Sequence, residues 1–323
     1  MESHDTESTA DARTGTAVLF PGMGPGDFAT VAKFMLINPI ARQLTKEASE
    51  VLGYDLVVRY RDAEGDYAEA AQVAFFVNCI ALARWAQAEL GMTPSVCAGV
   101  SFGGKGAAVF SGALDFADGV RLTADLVRYE SEYFAREHTD VVTQSIARLP
   151  QEKLELLLAE LAERGEWHEV SCHVDQDFHM VSVRRGALDW LQARLRAQRS
   201  VPMYVMDPPL HCGIFAGLRA TVESELFSRL RFTDPAIPVV ADQDGTVRTT
   251  AEGVRTTLLD GIVATVRWPL VVDTLRQRGI GTLYVAGPDR LFGRVRCTTS
   301  NFETIALDPR RAMQPRKRAP RVA

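Results

Sequence analysis

The chain has 323 residues, 46% hydrophobic and 24% charged, with a formal net charge of -5. This suits one large α/β unit, or a large unit with a smaller insert. No apolar run approaches the roughly 18 residues needed to span a bilayer, and the polar start MESHDTESTADARTGTA lacks the apolar core of a signal peptide.

Residues 1–14 read as a disordered leader. TAVLFPGMGPGDF (16–28) reads as a buried strand running into a glycine-rich turn, the opening of an α/β repeat. Residues 29–52 carry apolar positions at helical spacing. Residues 69–92 read as a helix apolar nearly all round, and therefore buried. A strand at 95–100, a turn at Ser101 and a helix from 102 to about 110 follow. A long helix then starts after Asp115 as N-cap.

From 139 the pattern changes. VVTQSIARL alternates like a half-buried strand, PQEKLELLLAELAER is an amphipathic helix, HEVSCHV and FHMVSVRRG are strands, ALDWLQARLRAQ is a helix and VPMYVM a strand. The order βαββαβ is the ferredoxin-like unit, placed as an insert over 139–207. The chain then resumes its α/β pattern, with a helix from His211 to Leu230, a strand at PVVAD, a helical stretch over 256–279 and a strand at GTLYVAG. Large-unit residues are thus 15–138 and 208–308. Residues 309–323 form a basic disordered tail, whose last fourteen residues hold six basic side chains and no acidic one, against 30 basic and 41 acidic elsewhere. The tail reads as a solvated segment rather than a nucleic-acid site. Cys79, Cys97, Cys172, Cys212 and Cys297 are odd in number and contain no CxxC pair, which indicates reduced thiols in the cytoplasm and no metal site.

GVSFGG (99–104) has the form G-x-S-x-G between an apolar strand and an Ala-rich helix. A serine on such a turn is held clear of the backbone, the glycines let neighbouring chain approach, and the helix N-terminus offers free N–H groups to an oxyanion. Ser101 is therefore read as a nucleophile, which needs a base. His4 lies in the leader, His138 and His168 sit among charges, and His173 and His179 fall on insert strands. His211, in DPPLHCGIF, is delivered by an irregular loop to a helix start and is the candidate base.

FPGMG, GVSFG, PPLH, VRW (266–268) and AGP (286–288) together resemble the malonyl-CoA:acyl-carrier-protein acyltransferases, in the same order over roughly residues 16–305. The resemblance implies an α/β-hydrolase-like large subdomain carrying a ferredoxin-like small one. It implies a ping-pong acyl transfer through Ser101 and His211, with the N–H groups of Met23 and Phe102 as oxyanion hole. No bound cofactor is implied: the phosphopantetheine arm of an acyl carrier protein brings the substrate. The expected partners are donor and acceptor carrier proteins, without nucleic acid or membrane, and the protein is expected to be a monomer.

Departures from the pattern bear on the substrate. Val100 stands where the family has His, Gly104 where it has Glu, and Met23 and Gly26 where the early loop has Gln. Leu126 stands where malonyl-transferring members hold the arginine that pairs with the substrate carboxylate. Arg128 is near, but two residues is about 200° around a helix. A buried carboxylate without a partner is costly, so the expected acyl group is not malonyl. It is an acyl, aminoacyl or dipeptidyl chain, as in the discrete acyltransferases of polyketide (antibiotic) pathways of the vicenistatin dipeptidyl-transferase type. The expected pocket residues are Val100, Leu126, Phe215 and Met206. The histidine's polar support in the family falls at Gly261, leaving either Asp260 or a main-chain carbonyl to orient His211. Arg184, Arg185 and Arg194, with Arg196 and Arg199, offer a basic face to an acidic carrier, or are a solvated helix face. The other readings are a malonyl-CoA:carrier transacylase, an editing thioester hydrolase and a non-catalytic carrier-binding scaffold. A patatin-like Ser–Asp hydrolase, through Asp244-Gly245, would leave PPLH, VRW and AGP unexplained.

Overall fold

The computed structural model describes residues 13–24, 26–65 and 67–314. Most of the expected leader, with His4, and the tail beyond Gln314 lie outside the described residues. Strand β1 (Gly15–Phe20) runs into the glycine turn and helix α1 (Phe28–Ile37). The apolar stretch from 29 to 52 is not one helix. Asn38 ends α1 and caps α2 (Pro39–Leu52), its side chain accepting from the N–H groups of Ile40 and Ala41, and Pro39 suits the first turn of the new helix. Helix α3 (Leu56–Arg61) leads to α4 (Glu69–Leu90). By length and composition α4 could cross a membrane, against the expectation from sequence, but most of its length is buried in the protein core.

Strand β2 (Val96–Gly99), α5 (Gly103–Phe110) and α6 (Phe116–Phe134) come next. The inserted unit follows as β3 (Val141–Ala147), α7 (Gln151–Glu163), β4 (His168–Asp175), β5 (Phe178–Arg184), α8 (Leu188–Ala197) and β6 (Val201–Met206). Beyond it lie α9 (Ala216–Glu225), β7 (Val239–Val240), β8 (Val247–Arg248), α10 (Ala251–Asp260), β9 (Val266–Arg267), α11 (Trp268–Gln277), β10 (Ile280–Ala286), α12 (Arg296–Thr299), β11 (Glu303–Leu307) and α13 (Pro309–Ala312).

The large sheet has the order β11-β10-β1-β2-β7-β8, parallel except for the β7–β8 pair. Both faces are covered, so β1 is a continuous apolar run. Val18 and Phe20 enter the core built with α1, α2, α4, α5 and α6, while Ala17 and Leu19 enter a second core toward α11 and the inserted sheet. The small sheet, β6-β3-β5-β4, is antiparallel throughout, with β5 between β3 and β4 as a ferredoxin-like unit requires. Its own core lies under α7 and α8, with Leu154, Leu157, Leu161, Leu191 and Leu195 fully buried.

Further stretches differ from the sequence expectation. The helix expected from His211 to Leu230 is an α-helix only over Ala216–Glu225. The helical stretch over 256–279 is broken: α10 stops at Asp260, and Val266–Arg267 becomes β9, which joins β4 in parallel and extends the small sheet with a strand from the large subdomain. Thr265, which gives its hydroxyl to the Val170 carbonyl (2.8 Å), and Pro269 at the start of α11 explain the break. The tail does not begin loose, because Asp308 caps the short helix α13 through the Arg311 N–H. Finally, β11 adds an outer strand beside β10 that no turn signal announces.

Candidate active site

Ser101 lies just past the carboxyl end of β2, where open parallel sheets place their sites. Its φ is +53°, a left-handed conformation strained for a side-chain-bearing residue. The turn tolerates no methyl groups beside it: a Cβ on Gly99 would stand 2.2 Å from the Gly103 carbonyl oxygen, and one on Gly103 would stand 2.0 Å from the Phe20 carbonyl oxygen. The glycines of the motif are therefore required by close backbone approach.

His211 meets it from the other side. The loop before α9 holds His211 at φ +64°, and its backbone N–H donates to the Ile262 carbonyl at 2.9 Å, pinning the loop to the end of α10. Its Nε2 lies 2.8 Å from Ser101 Oγ. The ring is 7% exposed, and burial pushes its pKa down to about 4, so it stands neutral and able to accept a proton. To accept at Nε2 the ring must carry its proton on Nδ1. That nitrogen is buried without an aligned hydrogen-bond partner, and the Gly261 carbonyl is the group that favours the charged ring. Asp260 does not take this part: its Oδ1 is held by Arg219 at 3.0 Å. Among the described residues no side-chain carboxylate bonds His211 Nδ1, and the nearby acceptor is the Gly261 main chain.

The structure adds a residue that sequence reasoning passed over. Asp242, 5% exposed at the end of β7, accepts the backbone N–H of Ser101 on Oδ2 at 2.7 Å. Burial pushes its pKa up to about 7, against the opposing effect of the Ser101 hydrogen bond. An acidic residue two positions past a short apolar strand, at the carboxyl edge of a parallel sheet, is the available signal.

The remaining expected residues divide. Neither Met23 nor Phe102 engages its backbone N–H with another group among the described residues, and a Cβ on neighbouring Gly22 would approach Ser101 Cβ to 3.9 Å. Leu126 is partly buried against the same core as Met23, Phe102, Leu210 and Ile214. Arg128 points to solvent, 57% exposed and paired with Asp125 at 3.1 Å, so the cation near Leu126 does not enter the pocket. Two expected pocket residues are structural instead. Val100 is fully buried in the core between the large and small sheets, and Phe215 is fully buried against Phe134 and His138. His138 is accordingly half-buried against aromatic rings rather than a bare surface residue. Met206 is half-buried on β6, opposite Thr143.

Three arginines of the expected basic face are paired, while Arg196 bonds the Gln192 side chain instead. Arg184 pairs with Asp140 and Arg185 with Asp207, each at 2.6 Å, and Arg194 forms a two-pronged pair with Glu160. His173 and His179 face each other at 3.1 Å on the small sheet, remote in role from Ser101.

The chain is similar to known proteins over nearly its whole length. A family described as the VinK acyltransferase small domain matches residues 145–206. The malonyl CoA-acyl carrier protein transacylase of Escherichia coli strain K12 is 27% identical over 307 residues, covering 93% of this chain and 98% of that one. A malonyl-transacylase solved in complex with its holo type II polyketide acyl-carrier protein has 25% identity and a TM-score of 0.79, covering 91% of this chain and 96% of that one. A structure from Acinetobacter baumannii with 23% identity and a TM-score of 0.82 covers 94% and 96%, a likeness of fold.

Proposed function

We propose, from the premise that the chain is an acyltransferase enzyme, that it moves a non-malonyl acyl chain without a free carboxylate, aminoacyl or dipeptidyl in type, between two acyl carrier proteins in polyketide biosynthesis. One observation carries the choice of substrate: Leu126, which stands where the resemblance puts the carboxylate-binding arginine, is packed on the apolar core, and the nearby cation, Arg128, is turned outward onto Asp125. A malonyl carboxylate brought there would have no arginine to pair with.

The chemistry follows the geometry. Ser101 Oγ attacks the thioester carbonyl as His211 Nε2 takes its proton, and the oxyanion settles on the N–H groups of Met23 and Phe102. Collapse breaks the C–S bond, and the proton on His211 leaves with the thiol, so an ester remains on Ser101. The second carrier's phosphopantetheine thiol then attacks this ester. His211 takes the thiol proton and returns it to Ser101 as the new thioester departs. The phosphopantetheine arm is substrate, and no further cofactor enters.

In the same reading, residues 139–207 form the small subdomain, and the carriers approach it on the side of Arg184, Arg185 and Arg194. The protein acts as a monomer in the cytoplasm, which its five free cysteines support. A second reading, malonyl-CoA:carrier transacylase, is favoured by the printed names of its relatives.

Intact-mass measurement after separate incubation with malonyl-CoA and with an acyl- or aminoacyl-loaded carrier decides between them. An adduct on Ser101 from the loaded carrier alone, passed to a second holo-carrier and absent in Ser101→Ala, is the expected result. A malonyl adduct from the coenzyme A ester supports the second reading. Release of free acid makes the protein an editing hydrolase, and an enzyme that never acylates is a scaffold.

A further inference from the structure

Three consecutive residues of the base loop are each held by a different group outside it. The N–H of His211 donates to the Ile262 carbonyl at 2.9 Å, just past α10. The thiol of Cys212, fully buried, donates to Ser182 Oγ on β5 at 3.2 Å. The N–H of Gly213 donates to Oε2 of Glu169 on β4 at 2.6 Å. The last two anchors belong to the small sheet and form one cross-strand pair, since Glu169 stands opposite Ser182 in the β4–β5 register.

The contact has a local reason. Gly213 opens the 3₁₀ turn Gly213–Phe215 that leads into α9, and the residue before it, Cys212, offers no side-chain cap. A free N–H at such a start needs an acceptor, and the carboxylate reaches it from 44 residues earlier. Among the described residues Glu169 forms no ion pair within 4.0 Å, so this amide is its partner. Ser182 in turn meets the Thr143 hydroxyl on β3 at 2.7 Å, which ties the seat of the loop into the sheet. His211 lies two residues from the Glu169 bond, at a φ of +64° that a side-chain-bearing residue keeps only when its surroundings hold it there.

We propose that Glu169 is a positioning residue for the transfer reaction, its bond to the Gly213 amide fixing the loop that aims His211 at Ser101. The inference rests on the reading of His211 as the base. It gives the inserted unit a part in the chemistry, because a strand of the small sheet seats a base that lies outside it. A base displaced by about 1 Å loses roughly 100-fold in rate.

The test removes this one bond from each end. Glu169→Ala deletes the acceptor. Gly213→Pro deletes the donor, and the backbone allows it: Cys212 before it is extended, at φ -132° and ψ 140°, and proline suits the first position of a helical turn. Glu169→Gln removes the charge and keeps an acceptor oxygen. The probe is an alkyl fluorophosphonate, whose reaction needs no particular acyl chain. Ser101 Oγ bonds to phosphorus, the P–F bond breaks and fluoride leaves, and His211 takes the hydroxyl proton. The readouts are the rate of the Ser101 adduct by intact mass and the His211 titration by NMR, assigned against His211→Ala.

Both bond-breaking variants are expected to label about 10- to 100-fold more slowly than wild type, and Glu169→Gln to stay within a few-fold. In the wild type His211 titrates at about 4, a value set by burial. In the two slow variants that midpoint is expected to move up toward 6.5 as water reaches the ring. Loss of the Glu169 charge alone would move it down, so the direction separates a displaced base from a missing charge. Wild-type rates in Glu169→Ala and Gly213→Pro, with His211→Ala slow, overturn the inference and leave the base standing. A wild type that labels no faster than His211→Ala overturns both. Slow variants with an unmoved His211 midpoint make Glu169 a structural brace and overturn the positioning part. Slowing in Glu169→Gln equal to that in Glu169→Ala traces the effect to charge and overturns it as well. If one bond-breaking variant does not fold, the other decides.

Discussion

The backbone nitrogen of Ser101 lies 2.7 Å from Oδ2 of Asp242, a buried side chain 141 residues further along the chain. The strained turn at Ser101 is thus held by a titratable acceptor, not only by its own backbone. Asp242→Asn keeps an acceptor oxygen, whereas Asp242→Ala leaves the Ser101 N–H unsatisfied, at a cost of about 1–3 kcal/mol. The alanine variant is expected to lose roughly 10- to 100-fold in kcat/KM for acylation, and the asparagine variant to stay within a few-fold of wild type. Equal losses in both would remove Asp242 from any positioning part.

The same carboxyl makes stability depend on pH. Its folded pKa, about 7, lies above its ordinary value of 3.8. Between those values the folded state binds more protons than the unfolded state. Asp242 therefore stabilises the fold fully at low pH, and that contribution is lost as pH rises toward 7. Melting temperatures of wild type and Asp242→Asn, compared from pH 4 to 8, should show the wild type losing ground to the variant as pH rises. A pH-independent difference would contradict this.

His211 acts in the opposite sense. Its folded pKa, about 4, lies below its ordinary 6.5, so the unfolded chain binds the extra proton and stability falls as pH drops through that interval. For catalysis the low value keeps the base ready. Acylation by the free enzyme is expected to stay flat from pH 8 to about 5 and to fall below that, and His211→Ala to lose about 10²- to 10⁴-fold. A limb near pH 6.5 in the acylation profile would mean that the ring is solvated, not buried.

Leu126→Arg puts a cation at the position proposed to select the acyl group, while Arg128 stays on Asp125. Malonyl-CoA acylation of Ser101 should rise by about tenfold or more, and neutral-chain acylation should fall. If malonyl acylation does not change, the selectivity lies elsewhere than at position 126.

Gly103→Ala places a methyl group on the Phe20 carbonyl. Backbone cannot yield there as a side-chain tip would, so a loss of more than about 3 kcal/mol is expected in denaturant titration. Gly24→Ala, where a Cβ meets no atom within 4 Å, is the matched control and should stay within about 0.5 kcal/mol.

How much of this could be read from the sequence depended on whether the signal was local. The GVSFGG turn and the PPLH loop carry their geometry in glycine and proline, and the βαββαβ order shows in hydrophobic spacing, so these were legible. Asn38–Pro39 was also a local stop signal and went unread because the apolar spacing continued across it. Asp242 is not legible, because its meaning comes from a partner on another element, the Ser101 amide. The arginines of the insert are visible in the sequence, but the partners of Arg184, Arg185 and Arg194, namely Asp140, Asp207 and Glu160, come from other elements and are not. Val100 and Phe215 were assigned to the pocket by position, while strand and helix geometry turns them into the core.

Asp242 also holds a second bond, its main-chain carbonyl accepting the Arg267 N–H at 2.7 Å. Arg267 belongs to β9, the strand that the large subdomain lends to the small sheet. One residue is therefore a strut with a foot in each half of the molecule, the nucleophile turn at one end and the outer rung of the small sheet at the other. The small sheet cannot swing away from the cleft as a free lid, since doing so would pull on Ser101 through two hydrogen bonds. A load on that sheet is passed, through Asp242, to the turn that holds Ser101.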